Sequence, residues 1–170
     1  APAVGICGAG LVDAIALMLR ENVIDGTGAF TGDEERFYLS EIVYISQKDV
    51  RNFQLAKSAI YAGIRVLLQR AGLDFEKVDR LYIAGGLGFY LDRDNAVEVG
   101  LLPEELKDKI EVIGNSALAG TKVCLCGAKN LERAQELARA AEYIDLSADA
   151  AFMDEYISNM NFGESDAYDD

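Results

Sequence analysis

Leu81-Tyr82-Ile83-Ala84-Gly85-Gly86-Leu87-Gly88-Phe89-Tyr90 decides the fold class. Its four leading apolar residues suit a short buried strand, and they run straight into a double glycine and then Gly88, the punctuation of a tight turn into a helix. A similar unit follows. Ile110-Glu111-Val112-Ile113 predicts a second strand, and Gly114-Asn115-Ser116-Ala117-Leu118-Ala119-Gly120 predicts a turn and an Ala-rich helix reaching about Ala128. Strands that alternate with helices predict an α/β domain, a mixed sheet flanked by helices.

Upstream of this core lies a long amphipathic helix. Ser46-Gln47-Lys48-Asp49 reads as an N-cap with an acidic residue three positions on, a variant of the capping box. Val50, Phe53, Ala56, Ile60, Ile64, Leu67 and Ala71 follow at steps of three and four, and Gly72 stands where a left-handed C-cap belongs. Before it, Phe37 to Ile45 predicts a strand or hairpin around Tyr38-Leu39 and Ile42-Val43, and Asn22 to Gly28 a turn-rich connection. The chain opens without Met on a Gly-rich turn, Gly5 to Gly10, leading into Leu11, Ile15, Met18 and Leu19 at helical spacing, which reads as an excised fragment. Downstream, a helix is expected from about Leu131 to Ala141, a last strand at Tyr143-Ile144-Asp145-Leu146, and a last helix from Ala148 to about Met160, capped near Ser147. Residues 1–160 read as one domain. The remainder, Asn161 to Asp170, carries Glu164, Asp166, Asp169 and Asp170 and is expected to be a solvated, disordered tail.

Composition narrows the function. Of 170 residues, 51% are hydrophobic, enough for one core of ordinary domain size. A formal charge of −13 repels nucleic acid and anionic membranes, so neither is an expected partner. No apolar run approaches the roughly 18 residues of a membrane span, and the opening residues do not form a secretory leader. Three cysteines make no disulfide framework, which fits a reducing cytoplasm. With no histidine, a Ser-His-Asp triad is excluded, and so are most zinc sites.

Chemistry could sit at the small-residue turns before helices: Cys7 to Gly10, with Gly8 and Gly10; Gly85, Gly86 and Gly88; and Gly114 to Gly120. Backbone N–H groups in such turns can approach a phosphate. Taken alone, a double glycine after a strand more often serves a tight connection, and Ala117, Ala119 and Gly120 suit close helix packing or a hinge. Gln54, Lys57 and Tyr61 line one stripe of the long helix and could point into a cleft. Lys57 could equally snorkel at the rim of a core. Cys124 and Cys126 fall about 200° apart on a helix, a poor metal pair, and Cys7 could be a thiol near phosphates or simply apolar. Asp13 in the first helix either holds hydrated magnesium or marks a turn that is only structural.

In order and spacing, GICGAGLVDAI, SQKDVRNFQLAKSAIYAG, LYIAGGLGFYLD and IGNSALAGT resemble the C-terminal part of the reductive activators of corrinoid proteins, over nearly the whole chain to about residue 160. The resemblance implies the C-terminal lobe of an actin-like (ribonuclease H-like) ATPase domain of the acetate and sugar kinase, heat-shock chaperone and actin superfamily. It implies a two-iron, two-sulfur cluster in a separate N-terminal domain. The implied role is ATP-dependent return of cob(II)amide to cob(I)amide, with a corrinoid protein or corrinoid-dependent methyltransferase as partner and a homodimer left open. By the same resemblance Ala84, Gly85, Gly86 and Gly88 match the adenosine motif and Phe89 packs against the purine. Gln54 and Lys57 resemble the Glu-x-x-Lys of chaperones that contacts ribose and adenine, and Gly114 to Gly120 the second connecting helix of the hinge. The superfamily's phosphate loops are expected mainly upstream of Ala1, and three cysteines cannot hold a plant-type cluster, which takes four thiolates. The fragment alone is therefore expected to form one wall of a site for ATP with magnesium, without turnover. Two alternatives remain at this point: a lobe of a small-molecule kinase, and an interaction module whose glycine turns are structural.

Overall fold

The structure, a computed structural model, describes residues 4–162. The chain enters helix α1 (Gly8–Arg20) through Cys7, whose Sγ accepts the Gly10 N–H at 3.4 Å. A turn held by Asp25 follows. Its Oδ1 accepts from Thr27 N (2.8 Å), Thr27 Oγ1 (2.6 Å) and Ala29 N (3.0 Å), and these bonds, the Thr27 hydroxyl's foremost, hold the carboxyl below its ordinary pKa. Strands β1 (Arg36–Tyr38) and β2 (Tyr44–Ser46) form the expected hairpin, with Leu39 to Val43 in its turn rather than in strands.

Ser46 ends β2 and caps helix α2 (Gln47–Arg70). Its hydroxyl accepts from Asp49 N while Asp49 Oδ2 accepts from Ser46 N at 2.9 Å, a complete capping box. Gly72 takes φ +66° past the helix end, as predicted. The buried stripe differs from the expected one. Val50 and Phe53 are buried, but burial then passes to Gln54, Lys57, Ser58, Ala62 and Val66, while Ala56, Ile60 and Leu67 are exposed. The cause is the set of polar partners that the Thr27 loop before the helix and Tyr156 and Asn161 after it bring to this face.

Strands β3 (Leu81–Ala84) and, after helices α3 (Gly86–Tyr90) and α4 (Arg93–Glu98) and a 3-10 turn at Glu104–Lys109, β4 (Ile110–Gly114) pair in parallel, Leu81 opposite Ile110. The two strand pairs are separate two-stranded sheets among the described residues, so one continuous mixed sheet is not observed. Val12, Ile15 and Met18 of α1 pack with Ala96 and Val97 of α4, with Val99, Leu101 and Leu102 behind it, and with Ile45, Val50 and Phe53.

Helices α5 (Ser116–Leu125) and α6 (Ala128–Ala140) follow β4, with the break at Gly127 three residues earlier than expected. Tyr143 to Leu146 does not form a strand. Asp145 accepts from Ser147 N (3.0 Å) and Ser147 Oγ (2.6 Å), coiling the chain into a 3-10 turn at Leu146–Ala148. Asp149, not Ser147, caps helix α7 (Ala150–Ser158). This helix lies along α2 through Ser58 Oγ donating to the Tyr156 carbonyl, Arg65–Glu155 at 2.9 Å and Arg70–Asp149 at 2.6 Å. Asn161 and Phe162 depart from the solvated tail expected of them. The Phe162 N–H donates to the Gly26 carbonyl at 2.8 Å, and its buried ring stacks on Phe53 with centroids 6.1 Å apart. The rest of the expected tail, Gly163 to Asp170, lies outside the described residues.

Candidate functional site

The parallel strands end together on glycines. Gly85 (φ +91°) and Gly114 (φ +64°) both take a left-handed backbone, and the Gly85 N–H donates to the Gly114 carbonyl at 2.7 Å. Each then turns its chain into a helix, α3 or α5. In open α/β sheets the carboxyl ends of parallel strands are where ligands bind.

The glycines of this region have different reasons to be glycine. A Cβ on Gly88 would lie 2.4 Å from Ile83 Cγ2, so α3 can sit on β3 only without one. A Cβ on Gly8 would lie 2.9 Å from Leu87 Cδ1, so the start of α1 lies against α3, and one on Gly10 would crowd Ile6 at 3.1 Å. Gly85 and Gly114 are fixed by their dihedrals. Gly86 has none of these causes: it is helical, and a Cβ there would meet nothing within 4 Å. Open space also lies before Gly85 and Gly114. Beside this bare shelf Phe89 is 68% exposed, its ring 4.9 Å from that of Tyr90.

Gln54 and Lys57 are occupied elsewhere. Gln54 is 1% exposed; its Nε2 donates to the Thr27 carbonyl (2.9 Å), its Oε1 accepts from Arg51 (2.7 Å), and Gly28 packs flat on its amide. Lys57 is 2% exposed; its Nζ donates to the Asn161 carbonyl, lies 5.3 Å from the centre of the Phe162 ring, and abuts Gly100. No carboxylate of the described residues lies within ion-pair reach of it, and burial lowers its pKa from 10.5 to about 8. The structure thus sets Gly8 against the α3 segment that carries Gly85, Gly86, Gly88 and Phe89, packs Gly10 on Ile6 and Cys7, and seals Gln54 and Lys57 beneath the Thr27 loop and the Asn161–Phe162 segment. Asp13 accepts from Asn95 Nδ2 at 2.8 Å and ties α1 to α4. Among the described residues no group of three or more carboxylates or cysteines converges as a metal site would need. The Gly114 turn, a candidate in the sequence beside the Gly85 turn, lies next to it here through the Gly85 N–H to Gly114 carbonyl bond.

Comparison with known proteins gives this geometry its class and then its family. The matching family model, over residues 1–169, describes an ASKHA domain. The chain belongs to that family, the C-terminal domain of RACo. It is similar to "Corrinoid activation enzyme RamQ" of Eubacterium limosum, 33% identical over 95% of this chain and 32% of that protein. It is also similar to "[Co(II) methylated amine-specific corrinoid protein] reductase" of Methanosarcina barkeri, 26% identical over 94% of this chain and 29% of that protein. A solved structure, "Reductive activator for corrinoid, iron-sulfur protein", superposes with a TM-score of 0.81 at 34% identity, covering 94% of this chain and 28% of that one. The chain spans about a third of the length of these relatives.

Proposed function

We propose that the chain is one wall of an ATP cleft in a larger iron-sulfur protein that uses ATP to return the cob(II)amide of a cytoplasmic corrinoid protein or methyltransferase to cob(I)amide. The names of the relatives support the reaction and the partner. The observation that carries the site is Gly86, whose missing side chain nothing inside the fold requires. Glycine at a helical position is less stable than alanine by roughly 0.5–1 kcal/mol. A ligand that must approach the backbone accounts for keeping it.

In this reading Gly85 and Gly86 form the floor for adenosine, Phe89 lies against the purine, Gly88 seats α3 on β3, and Gly8 and Gly10 set α1 beside it. Gln54 and Lys57 belong to the site only in a state where the segments over them have moved. Magnesium and the phosphates would be held by groups outside this set, since no acidic cluster stands among the described residues. ATP supplies binding energy that favours a closed conformation, and that energy can offset an unfavourable reduction in the complex. The electron would come from a two-iron, two-sulfur cluster outside this chain, whose three cysteines cannot bind one. Replacing Gly86 by Trp in the full-length protein is expected to abolish ATP-stimulated reactivation of the corrinoid protein. Unchanged stimulation would exclude the site.

A further inference from the structure

Residues 149–162 run back along α2 and are fastened to it at intervals. Arg70 donates to Asp149 at 2.6 Å, Arg65 to Glu155 at 2.9 Å, Ser58 to the Tyr156 carbonyl and Lys57 to the Asn161 carbonyl. At the far end the Phe162 N–H donates to the Gly26 carbonyl at 2.8 Å. Apolar anchoring is confined to that end. Helix α7 buries no residue: Met153 and Ile157 are exposed, and the rings of Phe152 and Tyr156 stack on each other with centroids 5.9 Å apart. Phe162, seated on Phe53, is the one buried residue of the segment. A segment with little buried apolar surface, held by polar bonds near solvent, lies at the low end of local stability. Closure also has a cost of its own. It shuts in the Lys57 ammonium with one carbonyl and the Phe162 ring at 5.3 Å, and with no carboxylate of the described residues in ion-pair reach. Opening returns that charge to water. The gain at Phe162 and the cost at Lys57 oppose each other, which narrows the gap between closed and open forms.

We infer that residues 149–162 are a strap that opens as a unit, with Phe162 as its plug, and uncovers Lys57, Ser58 and Phe53 while α1 stays folded. A permanently docked helix would bury an apolar stripe along its length, and α7 buries none. The device stands whether or not the glycine turns bind nucleotide. In the open form α2 presents a cation, a hydroxyl and a ring side by side, and a partner that pairs with that cation would hold the strap open.

The test is native-state hydrogen exchange of the full-length protein in low urea, with an amine-acylating reagent comparing Lys57 with Lys48, an exposed lysine of the same helix. The amides of α7 and of residue 162 are expected to be less protected than those of α1, through an opening that depends less on urea because it exposes less surface. Lys57 should be acylated more slowly than Lys48 by the protection factor of the strap, not by that of α1. Phe162→Ala should lower the protection of the strap and of Lys57 together, by about 100-fold. Ser58→Ala leaves the Phe53 contact intact and should lower both by about tenfold, so the test does not depend on a variant that empties the core. Equal protection and equal urea dependence in α7 and α1 overturn the inference, since the strap would then open only with the whole domain. Lys57 acylated as fast as Lys48, or protected as strongly as α1, overturns it as well. Strap protection unchanged in Phe162→Ala overturns the role of Phe162 as the plug.

Discussion

Replacing Gly86 by alanine separates a ligand role from a packing role. The new Cβ would have no neighbour within 4 Å and the position is helical, so nothing in the fold resists it. Alanine restricts the unfolded chain and suits a helix better than glycine, by about 0.5 kcal/mol at this first helical position, toward the lower end of the interior range. For a domain of this size each kcal/mol moves the midpoint by about 2–4 °C. The transition carrying this domain, followed by calorimetry of the full-length protein, should therefore rise by about 1–2 °C. In the proposed site ATP affinity should move the other way, because a methyl group would stand where adenosine would approach the backbone; overpacking of about 1–3 kcal/mol corresponds to roughly five- to 150-fold weaker binding. Gly88→Ala is the control. Its Cβ would fall 2.4 Å from Ile83, so it should lower the transition, and it should reduce ATP binding only as far as α3 is displaced. A Gly86→Ala protein that is more stable and binds ATP as well as wild type would refute the assignment. One that is less stable would refute the claim that the space is open.

Three further outcomes follow from the packing. Lys57 has its folded pKa lowered to about 8 by burial, so between about pH 8 and 10.5 the unfolded chain binds more protons and stability should rise with pH. The fall from 10.5 to about 8, at 1.36 kcal/mol per pH unit, bounds this rise near 3 kcal/mol; Lys57→Met should flatten it in urea titrations from pH 7 to 10.5. Phe162→Ala removes a buried ring from Phe53 and Lys57 and should cost about 3 kcal/mol, with hydrogen exchange quickening at the residue-162 amide, which donates to the Gly26 carbonyl, and along α7. Ser46→Ala should cost about 1 kcal/mol by urea unfolding. Asp49, held below its ordinary 3.8 chiefly by the Ser46 hydroxyl, adds stability that is complete above that pH and lost as pH falls below it, so the difference between wild type and variant should shrink in acid.

Local chemistry was legible in the sequence wherever a residue's partner lay within a few positions. The capping box at Ser46 and Asp49, the Gly72 cap, both strand-to-glycine turns and the β1–β2 hairpin all close over short spans. What depends on distant partners was not legible. Gln54 and Lys57 read as a stripe of α2 that could point into a cleft, and Ser58 drew no reading, yet all three are buried because the Thr27, Asn161 and Tyr156 carbonyls reach them from 27, 104 and 98 residues away. Phe162 was counted with an acidic tail because one apolar residue among carboxylates has no period to reveal its pocket. Tyr143 to Leu146 has strand composition, but the Asp145–Ser147 turn bonds outcompete pairing where no strand stands alongside.

The burial of Lys57 bears on how the site can work. An ammonium group 2% exposed and without a carboxylate partner among the described residues is an expensive feature, relieved here by one carbonyl and one aromatic face. Both come from Asn161–Phe162, so the same two residues that close the core over Phe53 also hold Lys57 in place. For Lys57 to reach a ribose as the chaperone motif implies, it must give up the Asn161 carbonyl, and Phe162 must leave Phe53 and the Gly26 carbonyl. A contact of that kind would link nucleotide binding to the far end of the chain. The glycine shelf and the Phe89 ring need no such movement, being bare already. The two halves of the resemblance therefore make different physical demands: in the proposed site adenosine would meet Gly85, Gly86 and Phe89 without rearrangement, whereas Gln54 and Lys57 would join only after roughly the free energy of unseating Phe162, about 3 kcal/mol, has been met by the ligand.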